Sequence, residues 1–157
     1  MSEYEFIIAE PGDIDLLVSS RINTLRAANL LDERADLDEV ERQSRLYYER
    51  AIPSGEHIAY IVLHGCDIVG TGGVSFYSVM PTCSNPSGTK AYIMNMYTHP
   101  DHRRRGIARR TLGLLIDAAL AAGVTDISLE ATAAGRPLYE SSGFVSAENE
   151  MIYNNER

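Results

Sequence analysis

The run Arg103-Arg104-Arg105-Gly106-Ile107-Ala108-Arg109-Arg110 gathers five of the chain's thirteen arginines into eight residues, inside a protein whose formal net charge is −8. Thr98-His99-Pro100 just ahead of it stops a β-rich stretch, and a Leu/Ala-rich stretch with helical spacing follows. The run therefore falls at the first turn of a helix, where unpaired backbone N–H groups and the positive end of the helix dipole favour an anion. Gly106 and Ala108 have almost no side chain, so a phosphate can approach the amides while arginines neutralise it from the sides. Pyrophosphate suits such a loop. A nucleotide P-loop does not fit, because no Gly-Lys-Ser/Thr follows, and a nucleic-acid patch is disfavoured by the net negative charge. The glycines Gly70, Gly72 and Gly73 lead into Val74 and Ser75, so they do not form a G-x-G-x-x-G dinucleotide fingerprint.

A second motif follows in Gly135-Arg136-Pro137-Leu138-Tyr139-Glu140-Ser141-Ser142-Gly143-Phe144. Together the two resemble the GNAT superfamily of acyl-CoA-dependent N-acetyltransferases. Arg103 to Ala108 matches its R/Q-x-x-G-x-G/A signature, Leu138 to Phe144 matches its L-Y-x-x-x-G-F ending, and Thr98-His99-Pro100 stands where that family ends its fourth strand. The resemblance covers Ala91 to Phe144, about a third of the chain. It implies acetyl-CoA as co-substrate, with no metal. It also implies that Met96, Tyr97 and Thr98 lie along the pantetheine arm, the main chain of Met96 and Thr98 making the hydrogen bonds. The loop Arg103, Arg104, Arg105, Gly106, Ile107, Ala108 and Arg109 would then surround the pyrophosphate. One departure is Thr132, which stands seven residues before Tyr139 where many members have asparagine.

Acetyl transfer to an amine needs a neutral nucleophile, donors to the developing oxyanion, and a proton or hydrogen bond for the departing thiolate. The resemblance assigns the thiolate to Tyr139 and the oxyanion to a backbone N–H, that of Met96. Unperturbed pKa values of about 10 for tyrosine and about 8.5 for a thiol make full proton transfer uphill by roughly 2 kcal/mol, so a hydrogen bond is the expected role. The alternative for Tyr139 is a core tyrosine packed beside Phe144. Some members place a base four or six residues before the Thr98 position, but here those positions are Met94 and Tyr92. Glu130, after Leu129 in the fifth strand, is the candidate general base, with an exposed strand carboxylate as the alternative. The implied activity is an acyltransferase that moves acetyl directly, in a ternary complex, to an amine of a small molecule or protein. A non-catalytic acyl-CoA-binding module is the other reading, motivated by the missing carboxylate at Tyr92 and Met94.

The rest of the chain must position these groups. With 157 residues and 45% hydrophobic content it suits one domain over residues 1–157. No nucleic-acid or membrane partner is expected, and a homodimer stays open. Met1-Ser2-Glu3-Tyr4-Glu5 lacks the basic flank and apolar run of a secretion signal, which points to the cytoplasm. Cys66 and Cys83 lack metal-ligand spacing and read as unpaired thiols.

Alternation predicts a strand at Tyr4 to Ala9, and Pro11-Gly12-Asp13 then opens a helix carrying Ile14, Leu17, Val18, Ile22 and Leu25 on one face. A second helix is expected from about Asp36 to Ala51. Asp32, Glu33, Asp36, Asp38, Glu39 and Glu41 form an acidic cluster there, read as a solvated face, with attraction of a cationic amine as the alternative. His57 to Leu63 and Asp67 to Met80 read as an antiparallel pair, Met80 to Lys90 as a loop, and Ala91 to Thr98 as a strand. Helix Gly106 to Ala122, strand Ile127 to Thr132, helix Arg136 to Ser142 and strand Phe144 to Tyr153 complete the order. The predicted architecture is α/β (α+β), a mixed central β-sheet flanked by helices on both faces.

Overall fold

The computed structural model describes residues 3–156. Five strands form one sheet in the order β1-β2-β3-β4-β5: β1 (Glu5–Ile8), β2 (His57–His64), β3 (Asp67–Ser78), β4 (Thr89–Thr98) and β5 (Ile127–Leu129). The first four pair antiparallel in chain order, and β5 joins β4 in parallel, so the sheet is mixed as expected. Helices α1 (Ile14–Ala28) and α2 (Asp38–Ser54) precede β2, α3 (Ile107–Ala121) crosses from β4 to β5, and α4 (Arg136–Ser141) follows β5.

Period-two alternation sends successive side chains of a strand to opposite faces. β2 is apolar at nearly every position because both of its faces are covered. Ala59 and Ile61 pack with Leu17, Val18 and Tyr48 from α1 and α2, while Tyr60 joins the cluster under Leu112, Leu115 and Ala119 of α3. The buried residues of α3, Ile107, Thr111, Leu112, Leu115 and Ala119, recur at helical spacing and form one stripe. Gly72 lets that stripe come close to β3. A Cβ built there would lie 2.7 Å from Thr111 Cγ2, 2.8 Å from Met96 Sδ and 3.0 Å from Leu115 Cδ1.

Two expectations about the C-terminal third are corrected. β5 ends at Leu129 instead of running to Thr132, because Thr132 turns the chain into α4: its hydroxyl accepts from Gly135 N at 3.1 Å and its carbonyl from Arg136 N at 3.0 Å. Glu130 thus lies just beyond the strand. The strand expected over Phe144 to Tyr153 is absent. Its apolar residues Val145, Met151, Ile152 and Tyr153 are exposed, and the turn at Glu148-Asn149 divides the segment before any ladder forms. A strand needs a partner to satisfy its backbone, and this segment has none among the described residues. No helix of the described residues is long and apolar enough to cross a membrane.

Gly72→Ala should destabilise the protein by about 1–3 kcal/mol through overpacking between β3 and α3. The check is a lower urea midpoint with an unchanged m-value.

Candidate active site

β4 gains one residue relative to β3. Gly73 faces Met94 and Thr71 faces Tyr97, so three steps along β4 match two along β3. The extra residue is accommodated at Asn95, which adopts the left-handed conformation (φ +59°), a region that asparagine tolerates better than most residues. Thr71 Oγ1 donates to Asn95 O at 3.0 Å and Arg21 Nη1 donates to Asn95 Oδ1 at 3.2 Å, holding the bulge from below and above. As a result Ile93 and Met96 both pack with the α3 cluster, while Met94 and Asn95 both face the α1–α2 side. On its other edge β4 pairs with β5 only as far as Ile93 opposite Leu129. From Met94 to Thr98 that edge has no strand partner among the described residues, and the sheet opens there.

Several predicted residues surround this opening. Thr98 Oγ1 is buried and has no hydrogen-bond partner among the described residues, which makes it an orphaned polar atom beside the free edge. Beyond it a single 3₁₀ turn, Pro100–His102, leads to Arg104 (φ +64°) and Gly106 (φ +81°), two successive left-handed kinks that aim the start of α3. A Cβ on Gly106 would meet nothing within 4 Å, so glycine is needed there for its backbone conformation. The first α3 amides lack intrahelical partners, the first helical return bond being Arg110 N to Gly106 O. The arginines divide. Arg103 Nε reaches Thr98 O at 3.4 Å, and Arg109 Nη2 reaches Ser141 Oγ on α4 at 3.0 Å. Arg105 turns away to Tyr4 and Glu3, and Arg110 stacks over Phe6 at 4.2 Å, so these two side chains serve the β1 side.

Tyr139 on α4 is half-buried against Phe144, with ring centroids 6.1 Å apart, and its hydroxyl has no hydrogen-bond partner among the described residues. Burial pushes its pKa up, so the hydroxyl stays protonated as a donor. Glu130 is exposed and does not line the cavity described below. It lies beside Tyr92, whose pKa is raised by burial and then by the charge of Glu130.

Across the sheet, a cavity of about 850 Å³ opens between α1, α2 and the β3–β4 face, lined among others by Arg21, Tyr47, His57, Ser75, Met94 and Asn95. The sequence motifs did not point to it. The available signals were Arg21, which sits four residues from both Leu17 and Leu25 on the apolar stripe of α1, and His57 at the head of an apolar strand. His57 is buried, and its Nδ1 lies 2.9 Å from both Tyr47 Oη and Ser75 Oγ. Its Nε2 lies where a Gly73 Cβ would approach to 2.6 Å. The acidic cluster is solvated, as expected: all six carboxylate residues are exposed. Of these, Glu39 reaches the cavity rim, where hydrogen bonds from Arg42 and Gln43 hold its pKa at about 2. Among the described residues, no group of three or more His, Cys, Asp or Glu could hold a metal ion.

Desolvation, and secondarily the Arg21 charge, lowers the His57 pKa from 6.5 to about 4. The folded state therefore holds fewer protons than the unfolded state between these values, and stability falls as pH drops through that window. The shift corresponds to about 3 kcal/mol, fully present above pH 6.5 and lost by pH 4. Urea titrations of the protein and of His57→Gln across pH 4 to 7 should show this acid loss only where the imidazole is present.

Comparison with known proteins bears on the same elements. The model of the Acetyltransferase (GNAT) family matches residues 25–144, which takes in both motifs and the cavity-lining strands. A comparison with curated proteins gave no match. Among solved structures, a predicted acetyltransferase with acetyl-CoA from Clostridium acetobutylicum is similar, with 29% identity, 96% of each chain covered and a TM-score of 0.86. A GCN5-related N-acetyltransferase from Ralstonia eutropha JMP134 has 24% identity, coverage of 96% of this chain and 97% of that one, and a TM-score of 0.80. Glucosamine-6-phosphate N-acetyltransferase from Arabidopsis thaliana, at 15% identity, shares the fold over 99% of this chain and all of its own, with a TM-score of 0.70. The opened fourth strand, the arginine-glycine turn and the family match over residues 25–144 together make this chain a member of the GNAT acetyltransferases, and hence an acyltransferase.

Proposed function

We propose that the protein transfers the acetyl group of acetyl-CoA directly to an amine, within a ternary complex. Two openings meet on β4, and their convergence supports the reading. The free edge beyond Ile93, with the orphaned Thr98 hydroxyl and the α3 N-terminus, suits a pantetheine-linked pyrophosphate. The cavity on the opposite face reaches the same strand at Met94 and Asn95 and suits the acceptor. A family relative crystallised with acetyl-CoA adds weight to the choice of co-substrate.

Acetyl-CoA, when bound, supplies an activated acyl carbon and a thiolate leaving group. The main chain of Met96 and Thr98, with Tyr97 between them, holds the pantetheine arm, and the Met96 N–H donates to the acyl oxygen. Main-chain amides from Arg104 to Arg109, including Gly106, Ile107 and Ala108, hold the pyrophosphate. Arg103 and Arg104 bring side-chain charge, whereas Arg105 contributes its main chain only. Tyr139 donates a hydrogen bond to the departing sulfur; its raised pKa makes outright proton transfer costlier than in water. Glu130 takes the amine proton by way of the Tyr92 hydroxyl and water, since neither side chain lines the cavity.

Thiol release from acetyl-CoA with an amine panel tests the assignment. Tyr139→Phe and Glu130→Gln should each lower kcat by about 10²-fold or more while CoA affinity is kept; unchanged turnover in both would remove the two roles. Gly106→Val forces a β-branched residue to φ +81° and should weaken CoA binding at least 10-fold by calorimetry, consistent with a strain of about 1–3 kcal/mol. Normal affinity would count against the loop as the pyrophosphate site.

A further inference from the structure

The charges that line the acceptor cavity do not balance evenly. Glu39 is held by Arg42 at 2.6 Å, and Glu56 by Arg50 at 3.3 Å, so both carboxylates at the rim are compensated by neighbouring guanidinium groups. Arg21 is not. It is half-buried at the cavity wall, makes its one hydrogen bond to the amide oxygen of Asn95, and has no carboxylate within ion-pair distance among the described residues. A partly desolvated guanidinium with most of its five donors free is a costly arrangement that a ligand carboxylate relieves, two oxygens matching its planar fork.

The location limits the ligand further. Arg21 grips the bulge residue Asn95, immediately before Met96, and so stands beside the stretch of β4 where the sheet opens. Since Arg21 touches Asn95 and the neighbouring Met96 N–H is the proposed acyl-oxygen donor, this placement suits an acceptor that carries its amine and its anion close together. Tyr47, Phe76, Tyr77 and Met94 line the remaining wall and suit an apolar or aromatic remainder. A phosphate, with its second charge, would call for a second uncompensated cation, and the cavity wall supplies none.

We infer that the acceptor is an amino acid-like molecule, an amine and a carboxylate a few bonds apart on a bulky apolar remainder, with Arg21 as its carboxylate-binding residue. This rests on the acyltransferase reading of the cavity and narrows it to one chemical class.

Phenylalanine, phenylalaninamide and phenethylamine serve as matched acceptors for the full chain with acetyl-CoA, read by thiol release. The carboxylate compound should exceed the other two in kcat/KM by about 10- to 100-fold, the range for a hydrogen-bonded charge pair. Arg21→Gln should remove that preference by raising KM for phenylalanine more than for the other two acceptors, and Arg21→Lys should keep part of it, with thermal unfolding confirming that both variants fold. Equal kcat/KM across the three acceptors, a preference that survives Arg21→Gln, or better turnover of a phosphorylated amine would overturn the inference while leaving the acyltransferase reading intact. If CoA binds but no amine releases thiol, that reading fails. Calorimetry on the CoA-loaded protein then still decides the carboxylate site: binding of phenylalanine but not its amide, lost in Arg21→Gln, supports it, and no binding overturns it.

Discussion

The single extra residue in β4 governs the geometry of everything around it. A regular strand would have continued the period-two alternation from Ile93 and kept pairing with β5. With Asn95 in the left-handed region, two consecutive side chains, Met94 and Asn95, face the α1–α2 layer, while Met96 returns to the α3 side. The parallel ladder stops at Ile93. One strand thus offers a free backbone edge to one ligand and a side-chain wall to another, from adjacent residues. The bulge persists because it is held from two sides, by Thr71 through its carbonyl and by Arg21 through its side-chain amide. Strained conformations are kept only where their surroundings over-determine them, and they gather at functional sites.

The close approach of α3 follows from the same strand pair. Gly72 sits opposite the bulge and removes the side chain that would otherwise collide with Thr111, Met96 and Leu115. This lets the helix lie directly against the sheet. Its N-terminus, aimed by the kinks at Arg104 and Gly106, is reached from the end of β4 through the short connection between Thr98 and Ile107. The anion-favouring end of the helix and the free edge of the strand are therefore one continuous surface.

What the sequence made legible follows from how local each signal is. Strands β1 to β4 and helices α1 to α4 were visible because each carries its own periodicity, and their ends fell within a few residues of expectation. The arginine-glycine turn was visible because its meaning lies in neighbouring residues. What Arg105 and Arg110 do was not, since their partners Tyr4, Glu3 and Phe6 are about a hundred positions away. The same limit hid the cavity: Arg21, Tyr47, His57 and Asn95 come from four elements and share no spacing. The C-terminal strand failed for a different reason. Its alternation was real, but alternation says only that a strand could form, and no neighbouring edge closes on Val145 to Tyr153.

Charge is distributed in a way that the net value of −8 conceals. On the α1–α2 side three acidic residues meet arginines, Glu39 with Arg42, Asp15 with Arg45 and Glu56 with Arg50, in exposed pairs that add little stability. Their effect is to leave the cavity mouth close to neutral. Among the described residues, Arg21 beside Asn95 and, near the α3 N-terminus, Arg103, Arg104 and Arg109 have no carboxylate within ion-pair distance. At physiological ionic strength the Debye length is about 8 Å, so the acidic exterior does not oppose an anion that has already reached either point. An acidic protein can therefore bind an anionic co-substrate without a basic surface, because screening confines the decision to the few groups in contact.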